Sequence, residues 1–142
     1  MKNEVNAKEL FPNINFVDLG YQRIIDAFGK VVIQVDDQDY SGDSRVLYDE
    51  NGNFGVLIFG WGSCSGCDAL LACNTHEDVQ EVIDGLQRSI IWFDDAASAL
   101  YYFKNHDWQG DFSWHYRETA DFVKQCIDYL SKRRGDRKDS AE

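Results

Sequence analysis

Residues 44–61 read SRVLYDENGNFGVLIFGW, a pattern that indicates two β-strands joined by a tight turn. Asn51-Gly52 lies between two apolar runs, and Asn-Gly is the strongest short-range signal for a two-residue hairpin turn. We therefore predict antiparallel strands over Ser44–Tyr48 and Phe54–Trp61. A two-stranded hairpin is marginally stable by itself, so its apolar faces need cover from other elements of the chain.

One helix and one strand are predicted before this hairpin. The segment Lys30–Asp36 is rich in β-branched residues, which favour a strand. Before it, apolar positions from Asp18 to Phe28 predict a short helix that ends at Gly29. Residues 1–15 are polar with scattered apolar positions, and we expect a loosely ordered start to the chain.

Two helix starts are predicted after the hairpin. Ser65-Gly66-Cys67-Asp68 has the form of a capping box that opens a short helix through Cys73. Thr75-His76-Glu77-Asp78 repeats the signal for a second helix. The spacing i, i+3, i+4, i+7 of a half-buried helix follows, in Val79, Val82, Ile83 and Leu86.

The last third of the chain adds a strand and two helices. Ile90–Phe93 reads as a buried fourth strand, and Asp94 or Asp95 caps a helix that runs to about Asn105. His106–Trp114 is interpreted as an ordered loop, followed by a last helix over about Ser113–Lys132. The expected fold is α+β, an antiparallel sheet of three to four strands packed by helices, with a long C-terminal helix.

The length and charge of the chain bound its function. The 142 residues indicate a single domain, 1–142, whose charged tail 132–142 is expected to fray. The chain holds 25 acidic and 14 basic residues, and residues 1–131 alone carry a net charge of −13. Because nucleic-acid affinity rests on Lys and Arg neutralising phosphates, direct nucleic-acid binding is disfavoured. No apolar run is long enough for a membrane span or a signal peptide, so a cytoplasmic protein is expected.

The acidic residues concentrate before and after the first strand of the hairpin. Asp37-Gln38-Asp39-Tyr40-Ser41-Gly42 resembles the opening of a calcium loop, but its twelfth position is Tyr48 instead of a glutamate. A solvated hairpin loop is therefore the preferred interpretation. We expect a protein partner with a basic surface to be bound here, by six acidic residues: Asp36, Asp37, Asp39, Asp43, Asp49 and Glu50.

A cluster of cysteines offers a second kind of site. Cys64, Cys67, Cys73 and His76 provide four soft ligands within 13 residues, and zinc is the metal that such a set binds. Five residues between the pairs is a short linker for zinc, and buried cysteine is often a small apolar filler. Redox chemistry at a helix start is the further alternative, because a helix dipole lowers the pKa of a thiol. We expect no cofactor, with zinc as the alternative.

Three tryptophans, Trp61, Trp108 and Trp114, are candidates for lining a small-molecule pocket, in which a nucleotide signal would stack. Packing of a loop onto the core is the competing interpretation. No complete set of catalytic residues is visible, so the chain is not expected to be an enzyme.

Two motifs carry a resemblance, FGWGSCSGCDAL at residues 59–70 and HDWQGDFSW at residues 106–114. Together they resemble a family of short acidic proteins of bacterial and phage genomes whose activity is not established. The resemblance implies an accessory protein that acts by binding a host factor, including host defence machinery.

Charge and resemblance together favour one hypothesis, a non-enzymatic acidic binding protein. It would act as a phage-type inhibitor of a host nucleic-acid-binding or defence protein through charge mimicry. A thiol-redox or structural zinc protein is the alternative, and a small-molecule binder is the second one. The oligomeric state does not follow from the sequence.

Overall fold

A computed structural model describes residues 4–15, 18–63, 68–111 and 116–135 of the chain. Its centre is a four-stranded antiparallel sheet in the order β1-β2-β3-β4. The strands are β1 (Val31–Asp36), β2 (Gly42–Glu50), β3 (Asn53–Trp61) and β4 (Ile91–Phe93). Helices cover the sheet, so the predicted α+β class is confirmed.

The hairpin between β2 and β3 is the one that the sequence predicted. Glu50 pairs with Asn53, which leaves Asn51 and Gly52 as a two-residue turn. Their φ angles are 56° and 95°, as a turn with two left-handed residues requires. The side chain of Asp49 adds a further constraint, since its Oδ1 accepts a hydrogen bond from the Gly52 N–H at 3.0 Å.

Six helices are present in the described ranges. They are α1 (Ala7–Leu10), α2 (Tyr21–Ala27), α3 (His76–Ser89), α4 (Ala96–Asn105), α5 (Trp108–Asp111) and α6 (Tyr116–Gly135). Two predicted caps are confirmed. Thr75 and Asp78 form a reciprocal capping box at the start of α3, and the Asp95 side chain accepts the Ser98 N–H at 2.7 Å at the start of α4.

Side chains that alternate along the strands build a core on each face of the sheet. On one face α1, α2 and α3 supply much of the core, which includes Phe11, Ile24, Ile25, Tyr48, Leu57, Leu70, Val79 and Ile83. On the other face α4 and α6 do so, and that core includes Leu47, Phe54, Val56, Leu100, Phe103, Trp108, Phe122, Cys126 and Leu130. The sheet is therefore the middle layer of three.

Residues 68–73 differ from the prediction, because they form turns and not a helix. The carboxylate of Asp68 accepts the N–H groups of Leu70 and Leu71, each at 3.0 Å, and also that of Gly62 at 2.8 Å. The Asp68 side chain therefore provides acceptors for the backbone N–H groups of the turn and joins the turn to the end of β3. The predicted capping residue Ser65 lies outside the described residues.

Three further boundaries are corrected. Trp108–Asp111 is a helical turn where a loop was predicted. β4 is an edge strand and not a buried one, because among the described strands it pairs with β3 alone, and Ile91 is 43% exposed. The last helix is described over Tyr116–Gly135 and so extends past the predicted end at about Lys132, while the predicted start at Ser113 lies outside the described residues.

The two ends of the chain are anchored where the structure describes them. The Gln80 side chain of α3 accepts the Ala7 N–H and donates to the Val5 carbonyl, each at 2.8 Å, and Phe11 is fully buried. Residues 4–11 are therefore held more firmly than the sequence indicated. Of the tail 132–142, residues 132–135 belong to α6 and the remainder lies outside the described residues.

None of the described helices combines the length and the apolar character that crossing a lipid bilayer requires.

Candidate functional site

The acidic loop, residues 36–43, joins β1 to β2 and carries a large, highly exposed side chain. Tyr40 at its tip is 83% exposed. Gln38, Asp39 and Ser41 beside it are exposed as well, and they surround the tyrosine with polar groups. A tyrosine in this position offers both an apolar ring and a hydroxyl to an approaching surface.

The base of the acidic loop is closed by Asp37, which is 3% exposed. Its N–H donates to the Asp43 carbonyl at 3.0 Å, and its Oδ2 accepts the Asp43 N–H at 2.8 Å. Backbone and side chain of one residue thus hold the two ends of the loop together.

Beneath the loop, Asp37 forms a fully buried ion pair with Arg45 of β2. The Arg45 Nη1 atom donates to Asp37 Oδ1 at 2.8 Å, and its Nε donates to Thr119 Oγ1 of α6 at 3.1 Å. Among the described residues, the Nη2 atom has no hydrogen-bond acceptor. Because a buried charge is costly unless it is paired, this contact ties the acidic loop to the sheet and to α6.

Close packing at Gly42 adds to the same constraint. A Cβ atom at this position would lie 2.6 Å from both Cβ and Oδ2 of Asp37. Such a distance is too short for any larger residue unless Asp37 moves. The loop therefore depends on glycine where it enters β2.

The structure divides the six acidic residues that were predicted to bind a partner. Asp36, Asp39, Asp43 and Glu50 lie at the surface, whereas Asp37 and Asp49 are buried. The prediction is wrong for the latter two, since each carboxylate is used inside the protein. Composition alone does not distinguish a carboxylate that faces solvent from one that pairs with a buried arginine.

Asp49 lies under the other end of the hairpin and joins it to the end of α6. Its Oδ2 accepts hydrogen bonds from Arg133 Nε at 2.7 Å and Tyr129 Oη at 2.5 Å. Burial by itself raises the pKa of Asp49, but the hydrogen bonds from Arg133, Tyr129 and Gly52 outweigh it and hold this pKa below its usual value. Burial and the same carboxylate raise the pKa of Tyr129 to about 12.

The tryptophans do not form a common pocket. Side chains alternate along β3, so Trp61 lies on the same face of the sheet as Leu57 and Phe59. Its Nε1 atom donates to Ser44 Oγ at 2.9 Å. Trp108 belongs to the core on the opposite face, where its ring stacks on Phe103 with centroids 5.4 Å apart. The prediction of a shared pocket is therefore wrong for Trp61 and Trp108, and Trp114 lies outside the described residues.

The structure describes two of the four predicted metal ligands, His76 and Cys73. His76 Nε2 lies 2.7 Å from the Phe11 carbonyl oxygen, and because a carbonyl only accepts, this nitrogen carries the proton and Nδ1 keeps the lone pair. Cys73 Sγ lies 3.3 Å from the Ala69 carbonyl oxygen. Burial, together with nearby carboxylates, raises the pKa of the Cys73 thiol.

Cys64 and Cys67 lie outside the described residues. Within the ranges that the structure describes, no three His, Cys, Asp or Glu side chains form a group able to hold a metal ion. The tetrahedral site predicted from all four residues therefore stays a prediction.

Sequence reasoning missed three residues that define the site: Tyr40, Arg45 and Thr119. Alternation along β2 places Arg45 on the same face as Leu47, which was a signal that the arginine points inward. Its partners, however, are 8 and 74 residues away along the chain, and no local pattern reveals them.

No family model, no curated protein and no solved structure matches this chain. The site is therefore defined by its geometry. It is an acidic loop with Tyr40 at its tip, and the buried Asp37–Arg45 pair holds its base on a three-layer α+β scaffold.

Proposed function

We propose that this chain is a non-enzymatic binding protein that contacts a basic protein surface through the acidic loop. The observation that carries the proposal is the exposure of Tyr40 on a loop whose base is held by the buried Asp37–Arg45 pair. A binding surface that is already ordered loses less conformational entropy when its partner docks.

The chemistry of the loop tip favours a partner with arginine and lysine on its surface. Tyrosine is enriched at the energetically dominant positions of protein interfaces, and its ring also attracts cations. Asp36, Asp39 and Asp43 surround the base and tip with carboxylates, in a chain of net charge −11. Opposite charges of this kind speed association and lose strength as salt is added.

A basic surface of this type is found on proteins that bind nucleic acid, because they must neutralise phosphates. We propose that the acidic loop occupies such a site and acts by charge mimicry, as an inhibitor of a cytoplasmic nucleic-acid-binding or defence protein. The resemblance to short acidic proteins of bacterial and phage genomes supports this direction. The exposed tyrosine adds an anchor that simple charge does not provide.

The test uses three immobilised forms of the full chain: unaltered, Tyr40→Ala and Tyr101→Ala. Tyr101 lies on α4, is 71% exposed, and so serves as a matched control for the loss of a surface tyrosine. Bacterial lysate is passed over each at roughly 50 and 500 mM salt, which changes the screening length about threefold. Captured proteins are then assayed for nucleic-acid binding with and without the free chain.

The expected result is a protein retained by the unaltered chain and by Tyr101→Ala, but lost with Tyr40→Ala and at high salt. Its nucleic-acid binding should fall when the free chain is added. Equal retention by all three forms would place the contact elsewhere on the molecule. Retention that ignores salt, or a captured protein whose nucleic-acid binding is unchanged, would remove charge mimicry as the mechanism.

A further inference from the structure

The outer edge of β1 is open, because among the described strands β1 pairs with β2 alone. Glu50 and Asn53 close the two-residue turn of the hairpin and are therefore a hydrogen-bonded pair. Such pairs alternate along an antiparallel ladder, so the even-numbered residues of β2 direct their backbone groups to β3 and the odd-numbered ones direct theirs to β1. The hydrogen bond from the Asp49 N–H to the Lys30 carbonyl at 3.0 Å agrees with this alternation.

The alternation identifies the backbone groups of β1 that point outward. Ile33 and Val35 lie opposite odd-numbered residues of β2, so their backbone groups point inward. The backbone groups of Gln34 and Asp36 point away from the sheet. Within the described ranges, neither of their N–H groups donates a hydrogen bond to the backbone, and the Gln34 carbonyl accepts none from it. An edge with unpaired groups of this kind is a template for another strand.

Two carboxylates lie along this edge, on the face of the sheet that α2 covers. Gln22 Nε2 of α2 donates to Gln34 Oε1 and to Asp26 Oδ1, each at 3.0 Å. Gln34 Nε2 donates to both carboxylate oxygens of Asp36 at 3.1 Å. The two glutamines thus hold Asp26, which is exposed, and Asp36, which is half-buried, in one row. Side chains of an added strand on this face meet negative charge.

The opposite face of the same edge is apolar. Val32, Ile33 and Val35 pack against the core that α4 and α6 cover, yet all three are only half-buried. Val32 is the extra residue of a β-bulge, so the regular part of the edge runs from Ile33 to Asp36. Apolar residues of an added strand would cover what these side chains leave exposed. The two faces together fit a strand in which cationic and apolar residues alternate.

We infer that an extended segment of the basic partner, in which lysine or arginine alternates with apolar residues, adds to β1 as a fifth, antiparallel strand. Main-chain hydrogen bonds to Gln34 and Asp36 provide affinity, and the carboxylates of Asp26 and Asp36 select the cationic side chains. β1 leads directly into the acidic loop, so a partner along this edge also reaches Tyr40. The inference rests on the proposed function, because it describes how the partner of the acidic loop is bound.

The test is calorimetric titration of the full chain with a synthetic heptapeptide in which lysine alternates with valine. Residues opposite each other in an antiparallel pair share a face, so lysines opposite Gln34 and Asp36 direct their N–H groups to β1, and the valines direct theirs to solvent. Methylating the backbone nitrogens of the lysines should raise the Kd at least about tenfold. The matched control carries the methyl groups on the valine nitrogens and should bind like the parent peptide.

Three outcomes of this titration would overturn the inference. The first is equal binding of both methylated peptides, which would leave only attraction between charges. The second is a loss confined to the peptide with methylated valines, because it contradicts the antiparallel register. The third is a parent peptide that does not bind at roughly 1 mM.

Substitutions in the chain test the same contacts from the other side. Gln34→Pro removes an outward N–H, which an edge strand tolerates, and should raise the Kd of the parent peptide at least about tenfold. Gln34→Ala removes the same side chain but keeps the N–H, so it is the matched control. If Gln34→Pro proves unfolded by circular dichroism, the methylated peptides still decide. Equal binding by folded Gln34→Pro and Gln34→Ala would contradict strand addition.

The role of charge is tested at Asp26. Asp26→Asn should weaken binding of the parent peptide about threefold, as the loss of one exposed ion pair does. The matched control is Asp84→Asn on α3, since Asp84 is also an exposed carboxylate that accepts from a glutamine four residues earlier, Gln80. Equal effects of the two substitutions would show that the β1 edge does not select the cationic side chains.

The inference and the proposed function can fail separately. A captured partner that is lost with Tyr40→Ala but retained by Gln34→Pro would keep the proposed function and overturn strand addition. A chain that binds the peptides in the expected order but captures no partner would keep strand addition and overturn the proposed function.

Discussion

The Nη1 atom of Arg45 lies 2.8 Å from Oδ1 of Asp37, and both side chains are fully buried. Removing two charges from water costs several kcal/mol for each ion, about what their attraction and added hydrogen bonds return. The net stabilisation from such a pair is therefore small, but removing only one partner is costly because the other charge stays buried and unpaired. Here the pair also fixes the position of the acidic loop, since Asp37 accepts the N–H of Asp43.

Removing either member of this pair should destabilise the protein strongly, and removing both should cost less than the sum of the two single losses. Asp37→Asn and Arg45→Met should each lower the free energy of unfolding by about 3–5 kcal/mol, because each leaves a buried group without its counter-charge. The double variant should lose less than the sum by about 1–3 kcal/mol. Urea denaturation of the four proteins measures this coupling. Additive losses would mean that the pair is not formed in solution.

Gly42→Ala should destabilise the protein by about 1–3 kcal/mol, because the new methyl group displaces Asp37 and strains the base of the acidic loop. Gly85→Ala in α3 is the control, since there a Cβ meets only the end of the Arg88 side chain at 4.0 Å. Replacing a glycine inside a helix should stabilise by about 0.5–1 kcal/mol. The melting temperature should therefore fall in Gly42→Ala and rise in Gly85→Ala. Equal shifts would contradict the packing described at Gly42.

Asp49→Asn should destabilise the protein near neutral pH by about 1–3 kcal/mol, since it weakens the contacts with Arg133 and Tyr129. The pKa of Asp49 is lower in the folded protein than in the unfolded chain, so its contribution is complete above the unfolded pKa and is lost as pH falls through the folded one. The difference from the unaltered protein should therefore be constant above about pH 5 and shrink below about pH 4.

Urea denaturation across this pH range measures the effect. The control is Glu81→Gln, which removes an exposed carboxylate of α3. A gap between Asp49→Asn and the unaltered protein that persists unchanged at low pH would show that the charge of Asp49 is not what stabilises the fold.

Cys73 should react slowly with iodoacetamide, because burial and the carboxylates around it raise its pKa and reduce the thiolate fraction. In a Cys64→Ser, Cys67→Ser variant, Cys73 and the buried Cys126 are the remaining thiols. Near pH 8 we expect alkylation at least about tenfold slower than that of free cysteine. The same variant in denaturant provides the control and should react at the rate of free cysteine. Fast alkylation of the native variant would revive the thiol-redox alternative.

Local sequence patterns predicted most of the scaffold. Asn51-Gly52 established the hairpin because few other residue pairs adopt two left-handed conformations in succession. Thr75 and Asp95 marked helix starts, since their side chains satisfy backbone N–H groups within three residues. Each of these signals acts over a few residues, and this is why the sequence reveals it.

The candidate site depended on contacts that are distant along the chain. The carboxylate of Asp37 looked like part of an exposed acidic patch, but it pairs in the core with Arg45, which also donates to Thr119 of α6. The tryptophans Trp61 and Trp108 looked like neighbours in a pocket, but the sheet separates them. Only the packing of α6 against the sheet distinguishes these alternatives.

The sequence alone determined the class of fold, the antiparallel hairpin and the net negative charge of the chain, because turn geometry, helix capping and composition are local or additive properties. The tertiary structure decided which carboxylates reach solvent and why Tyr40 stands on a loop whose base is held in place. These features arise from pairings between residues as far apart as Arg45 and Thr119, or Asp49 and Arg133. Burial is a property of such pairings, and no single segment of the chain contains it.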